Sequence, residues 1–282
     1  MTDELKLINE IGGTAFVIAT IRALESKKSN PLFEDSYADF FSNEVAKKAA
    51  FQMQENFPPS TIMISFRTRY FDQLVIKAFE RGVRQIVLLG GGFDMRAHRF
   101  SHPKVKFFEI DQPAIIDYKS SVLKENGISQ SPSVKCNYLK TNIIHELEKI
   151  GFDCTKSSLF IWEGNTMYLP PESIIPFLNK LSQEISSLTI AFDFFALELI
   201  NRSLNSPEEN ELIQGIESAL KVNFQNGFPN LSLFEKQTPL KISNSNSFFS
   251  MASEFGQQKA VENYTKDWIN FLELYRYCLL KN

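Results

Sequence analysis

The chain has little cysteine, little histidine and no long apolar run, and each shortage excludes something. Three cysteines in 282 residues, Cys136, Cys154 and Cys278, are too few and too scattered for a disulfide framework or a metal knuckle, so a reducing, cytoplasmic setting is expected. His98 and His102 stand four apart, but Pro103 follows at once and only His145 remains. That pattern predicts solvated histidines and no metal site. No stretch reaches about 18 uninterrupted apolar residues, which excludes a membrane-spanning helix. The opening MTDELKLINE carries acids where a secretory signal carries lysine or arginine. Basic excess is missing too: a net charge of −3 and a pI near 5.8 give no general attraction to nucleic acid. There is no repeat, heptad or low-complexity segment.

What is present is an ordinary globular composition, 43% hydrophobic and 22% charged, with length for one sizeable domain and an appended lid. The 26 phenylalanines stand out. Most belong to the core, and the rest suit an aromatic-lined pocket for an apolar substrate.

The organising stretch is Ile86–Arg99, IVLLGGGFDMRAHR. Ile86–Leu89 reads as a buried strand. Gly90, Gly91 and Gly92 let the backbone turn tightly and pass close to a ligand. In an open α/β sheet such a junction lies at the carboxyl end of a strand, where nucleotide-like groups bind.

Upstream, residues 12–25 predict an amphipathic helix with Thr14 as N-cap and Phe16, Ile18, Ala19 and Leu24 on the buried face. Arg22, near its end, reads as a surface arginine or a binding residue. A helical cap, residues 1–60, precedes the sheet and is broken at Pro58-Pro59. Residues 61–81 carry a helical period, with Arg67 and Arg69 near the start and Asp72 close by. A ligand carboxylate can pair with one of these arginines, the alternative being a surface Arg–Asp pair.

A second strand, Val105–Ile110, brings Glu109 and Asp111, which lie 19 and 21 residues beyond Gly90. An acid at that distance accepts hydrogen bonds from ribose hydroxyls, and either residue suits. A third strand, Val134–Leu139, puts Asn137 where its amide reads an adenine or simply forms a turn. The fourth, Ser158–Trp162, runs into Glu163, suited to a cationic ligand group, with Tyr168 close behind. The fifth, Leu188–Phe192, ends in Asp193. Five strand–helix alternations predict a mostly parallel sheet with right-handed crossovers and helices on both faces. Residues 206–221 predict a helix and 225–256 late antiparallel strands with a lid. The tail, Asp267–Leu280, is apolar without a decisive period.

Two cofactors compete for this constellation. A nicotinamide dinucleotide needs a clear helix N-terminus for its pyrophosphate, and Asp94 just after the glycines repels one. S-adenosylmethionine has no phosphate. Its sulfonium, carboxylate, ribose and adenine match an acid near the turn, an arginine, Glu109 or Asp111, and Asn137 respectively.

The stretches TAFVIATIRALE (14–25), RTRYFD (67–72), LGGGFDMR (89–96), FEIDQP (108–113) and WEGNTMYLP (162–170) resemble the leucine carboxyl methyltransferase family. The likeness is strongest to its bacterial branch of O-methyltransferases of small-molecule biosynthesis, and covers about residues 10–195. The resemblance implies a class I methyltransferase, Rossmann-like fold as one structural unit: an N-terminal cap over 1–60 and a methyltransferase domain over 61–282, with a lid or substrate region near 195–256. It further implies that Arg67 pairs the methionine carboxylate, Gly90 and its neighbours give backbone contacts, and Asp111 holds the ribose. Asn137 lies beside the adenine, where relatives more often have Asp. Glu163 is near the methionine end, and Tyr168 matches a tyrosine close to the methyl acceptor; Arg67 and Tyr168 are also expected to orient an acceptor carboxylate. The expected reaction is O-methylation of a carboxylate or hydroxyl on an apolar small molecule. The alternatives are methylation of a protein C-terminal carboxylate, a nicotinamide-dependent dehydrogenase and a non-catalytic adenosyl-binding protein.

Overall fold

A computed structural model describes residues 13–204, 207–220 and 222–282. The expectation for MTDELKLINE, the first twelve residues of the cap and both ends of the 206–221 helix lie outside the described residues. Helix α1 (Gly13–Ser26) buries Phe16, Val17, Ala19 and Ile21. Thr14 falls inside this helix and is not its N-cap. Leu24, placed on the buried face by its spacing, is 52% exposed, because the packed stripe runs through Ile21 and Glu25 instead. Helix α2 (Glu44–Asn56) is capped by Asn43, whose side chain accepts from Ala46 N. The break at Phe57–Pro59 leads into α3 (Ser60–Glu80), whose Phe66, Tyr70 and Leu74 are buried at helical spacing.

The sheet then begins: β1 (Gln85–Leu89), the short α4 (Arg96–Arg99), β2 (Lys106–Asp111), α5 (Pro113–Glu125), β3 (Ser133–Lys135), α6 (Ile143–Lys149) and β4 (Ser158–Trp162). After a 3-10 turn at Thr166–Tyr168 come α7 (Pro171–Glu184), β5 (Leu188–Phe195), α8 (Leu197–Ile200) and α9 (Pro207–Leu220). The chain ends with α10 (Ser232–Gln237), β6 (Lys241–Ser247), α11 (Phe248–Glu254), α12 (Gln258–Val261), α13 (Lys266–Glu273) and β7 (Tyr275–Lys281). The apolar tail is therefore both a helix and a strand, divided at Leu274.

The seven strands lie in the order β3-β2-β1-β4-β5-β7-β6. The five strands β1–β5 are parallel, and β7 inserts antiparallel between β5 and β6. Strand order reverses between β1 and β4, and their carboxyl ends splay helices to opposite sides. A crevice opens there. One apolar layer packs α3 and the C-terminal helices on one face of the sheet, and a second packs α6 and α7 on the other.

Two strands differ from their sequence reading in ways that matter. β3 stops at Lys135, because the chain turns at Asn137, whose Oδ1 accepts from Leu139 N at 3.1 Å. β5 continues through Asp193 to Phe195 because β7 pairs with it along its whole length. Asp193 is therefore an interior, fully buried strand residue and not an exposed strand end.

Candidate active site

The crevice at the carboxyl ends of β1, β2 and β4 is a cavity of about 220 Å³. Its floor is the glycine turn. Gly90 and Gly92 have φ of +59° and +55°, a region L side chains rarely enter. A Cβ at Gly90 would also lie 2.8 Å from the Asn165 side chain, whose Nδ2 donates to Gly90 O at 2.8 Å. Gly92 N in turn donates to Asp111 Oδ2 at 2.8 Å, while Gln112 N donates to Oδ1 at 2.7 Å. Two backbone donors hold this carboxylate, and no cation among the described residues pairs with it. Burial raises its pKa above the ordinary value, against the pull of the two N–H groups.

A buried charge network forms the adjoining wall. Arg96 donates from Nε to Asp72 at 2.7 Å and from Nη1 to Asp94 and Glu163, both at 2.6 Å. Asp72 also takes Arg99, so Arg67 and Arg69 do not pair with it. Glu163 bridges to Arg67, with Nε–Oε1 at 3.1 Å. Arg67 Nη1 lies 3.7 Å from Asp193 Oδ2, which accepts the Tyr275 hydroxyl, and Oδ1 accepts Gly164 N at 2.6 Å. Gly164 has φ +67°, and a Cβ there would lie 3.0 Å from the Arg67 guanidinium. Arg67, Arg96 and Arg99 thus face Asp72, Asp94, Glu163 and Asp193. With Asp111 added, carboxylates outnumber guanidiniums by two along this side.

The opposite part of the cavity is apolar. Val17 and Ile18 of α1, Met53 and Phe57 at the end of α2, Met63 and Ile64 of α3, Ile216 of α9, and Phe195, Phe224 and Phe271 line it. Tyr168 lies against Phe224, ring centroids 5.8 Å apart. Burial pushes its phenol up to about 12, so it is neutral near pH 7.

The structure brings Arg67, Gly90, Gly91, Gly92, Asp94, Asp111, Glu163 and Tyr168 to one cavity. Glu109 and Asn137 are not among its lining residues. Glu109 shares a face of β2 with Asp111 but sits one pleat deeper, where Lys119 Nζ covers it at 2.7 Å. Asn137 is spent on the turn after β3. Asp94 lines the cavity, but its carboxylate is occupied by Arg96 and not left open to a cationic ligand. Arg22 is not a surface residue: it is buried at the cavity edge, 3.1 Å from Asp35 and donating to Phe93 O. Asn165, Asp193 and Tyr275 were not read as site residues. Asp193 directly follows an apolar run and Asn165 stands just past Glu163-Gly164 at the end of another, so both carried some signal. Tyr275 carried none, since only antiparallel pairing brings it to Asp193.

Comparison with known proteins places these features. The leucine carboxyl methyltransferase family model matches residues 15–182, which include the carboxyl ends of β1, β2 and β4. A protein of Mycolicibacterium paratuberculosis, provisionally named an S-adenosyl-L-methionine-dependent methyltransferase, is 34% identical over 184 residues, 60% of each chain. A similarly named protein of Mycobacterium avium is 31% identical over 215 residues, 70% of this chain and 69% of its own. The first of these matches thus spans about 60% of the relative's length. Among solved structures, a DUF574 family protein from Streptomyces avermitilis superposes with a TM-score of 0.66 at 13% identity, covering 98% of this chain and 99% of that one. A provisionally assigned methyltransferase from Thermobifida fusca gives 0.62 at 11% identity, over 95% and 94%. These likenesses show a shared class I, Rossmann-like methyltransferase fold. With the family match extending over more than half its length, the chain belongs to the leucine carboxyl methyltransferase family.

Proposed function

We propose that this protein transfers a methyl group from S-adenosylmethionine to an oxygen of a small apolar molecule. The observation that carries the reading is the division of one cavity into a carboxylate-rich half and an apolar half that meet at Arg67 and Tyr168. Bound S-adenosylmethionine supplies a methyl group on a positively charged sulfur, activated for displacement by oxygen. The residues present fit it. The excess carboxylates of the polar half suit a ligand of net positive charge, and they oppose a diphosphate. Asp111, held open by two backbone N–H groups, retains lone pairs for the ribose hydroxyls. Arg67 is the cation for the methionine carboxylate, and Glu163 stands beside it for the amino group. Gly90, Gly91 and Gly92 let the backbone approach without a side chain between.

On the other side, the residues of the cap and of the 195–256 segment enclose the acceptor. Met53, Phe57, Ile216 and Phe224 remove apolar surface from water and exclude solvent from the reacting centre. The chain's contribution to rate is then largely positional: it holds the acceptor oxygen in line with the methyl group.

Thermal unfolding tests the reading. S-adenosylmethionine or its demethylated product at about 100 times its Kd should add about 2.7 kcal/mol of stability, and a nicotinamide dinucleotide should add none. Protection by the dinucleotide alone would overturn the proposal. A methyl-labelled donor incubated with cell extract should then label small molecules. Label confined to a protein fraction would favour C-terminal carboxyl methylation, and binding without transfer a non-catalytic role. Among the described residues no helix is long and apolar enough to cross a membrane.

A further inference from the structure

An ammonium group carries three hydrogen-bond donors, and on the reading that the cavity holds S-adenosylmethionine the donor brings one in beside Glu163. Both oxygens of the Glu163 carboxylate are already engaged. Oε1 accepts from Arg67 Nε at 3.1 Å and Oε2 from Arg96 Nη1 at 2.6 Å. Glu163 supplies negative charge, but an ammonium bonded to it alone would stand against two guanidiniums. Asp94 is likewise taken by Arg96, and Asp111 is the residue assigned to the ribose. The donor's ammonium therefore calls for a further, neutral acceptor at the methionine end.

Asn165 meets that need. It stands two residues beyond Glu163, lines the cavity and is half-buried. Its Nδ2 donates to Gly90 O at 2.8 Å and to Glu163 O at 3.0 Å, so the amide spans the carboxyl ends of β1 and β4. Only an NH2 group can face two carbonyls, which fixes the way the amide is turned and leaves Oδ1 as its other end. Oδ1 has no hydrogen-bond partner among the described residues, and it is not one of the unpartnered atoms sealed from solvent; it is open to the cavity that Asn165 lines. The amide is also firmly seated. Gly90, at φ +59°, lies so close that a Cβ there would come within 2.8 Å of both Nδ2 and Oδ1. The Asn165 carbonyl in turn accepts Tyr168 N at 3.0 Å. An acceptor fixed in this way loses little freedom on taking a ligand, and it offers partial negative charge without burying another carboxylate.

We propose that Asn165 is a donor-binding residue whose Oδ1 accepts a hydrogen bond from the ammonium of S-adenosylmethionine. Glu163 then contributes charge and Asn165 direction. The contact also discriminates between ligands: one that has the carboxylate but no ammonium keeps Arg67 and loses Asn165.

Calorimetry on the full chain tests this by comparing S-adenosylhomocysteine with its deaminated analogue, in which hydrogen replaces the ammonium and the carboxylate remains. The wild type should bind S-adenosylhomocysteine more tightly. Asn165→Leu, which keeps the bulk of the side chain, should shrink that preference by about tenfold, the effect of one charge-assisted hydrogen bond. Any loss the two ligands share reports the support that Asn165 gives the glycine turn. A preference unchanged by the substitution, equal losses for both ligands included, overturns the inference, and so does a wild type with no preference. Wild-type protein that binds neither ligand overturns the donor reading itself. Asn165→Ala should show the same selective loss and decides alone if the leucine variant does not fold.

Discussion

The two halves of the cavity are built on opposite principles. The polar half is made of groups that hold one another: Arg96 fixes three carboxylates, Asn165 fixes the glycine turn and backbone N–H groups fix Asp111. The apolar half is made of side chains delivered by α1, α2, α3, α9 and α13, elements distant in sequence, and the side chains it presents, among them Val17, Met53, Met63, Ile216 and Phe271, hold one another by packing alone. A ligand with many unlike groups needs a preorganised partner for each, since every mispaired polar group is costly. A largely apolar ligand needs only volume and shape, and such walls tolerate change. The polar half should therefore fail abruptly when altered, and the apolar half gradually.

The largest expected effect is at Arg96. Replacing it with Met leaves Asp72, Asp94 and Glu163 without their shared cation, which should cost about 3–5 kcal/mol in denaturant unfolding. An Arg96→Met protein of unchanged stability would show that the network is not what holds this half. Next, Asp111→Ala should weaken donor binding by about 10–100-fold in calorimetry, from the loss of charge-assisted bonds worth about 1.5–3 kcal/mol, with little change in melting temperature. On the apolar side, Phe224→Ala should raise the acceptor KM by about tenfold, equivalent to about 1.4 kcal/mol, and leave donor affinity untouched.

Acid titration distinguishes the halves in another way. Burial alone would raise the Asp94 carboxyl, but Arg96, then Arg22 and Lys119, outweigh it and hold its pKa below the ordinary value. A depressed carboxylate contributes stability that is fully present above the unfolded value and is lost as pH falls through the folded one. Acid unfolding of the wild type should therefore steepen below the ordinary carboxylate range, and Arg96→Met should flatten that dependence. The smallest effect is expected at Asn137, which serves its own turn: Asn137→Ala should move donor Kd by less than about threefold. A larger loss would draw the third strand's end back into the site.

Much of this was legible in the chain. Apolar runs ending in glycine or acid gave β1, β2, β4 and most of β5, because parallel strands buried on both faces leave little else at their ends. The mostly parallel sheet followed from them and the family from the resemblance of the quoted motifs, and the structure and comparisons bear out both. Glu109 and Asp111 were not separable, since strand period puts them on one face and only Lys119 of α5 shows which is covered. Asp94 read as an open acid because nothing in the sequence says that Arg96, two residues on, folds back to bind it. Asp193 read as a strand end because β7, the strand that prolongs β5, comes from the far end of the chain.

That last strand has a consequence for how the protein is made. β7 lies between β5 and β6, and Tyr275 meets Asp193 across 82 positions of sequence. Contacts of such separation close late, after the local helices and the sequential parallel strands have found one another. A chain still on the ribosome can assemble the cavity wall at the ends of β1, β2 and β4 while β5 presents a bare apolar edge, the kind of surface that chaperones shield. The buried Asp193 has no phenol to receive until the final strand docks. Closure of the Asp193–Tyr275 contact therefore waits on synthesis of β7, well after the strand ends of β1, β2 and β4 have been made.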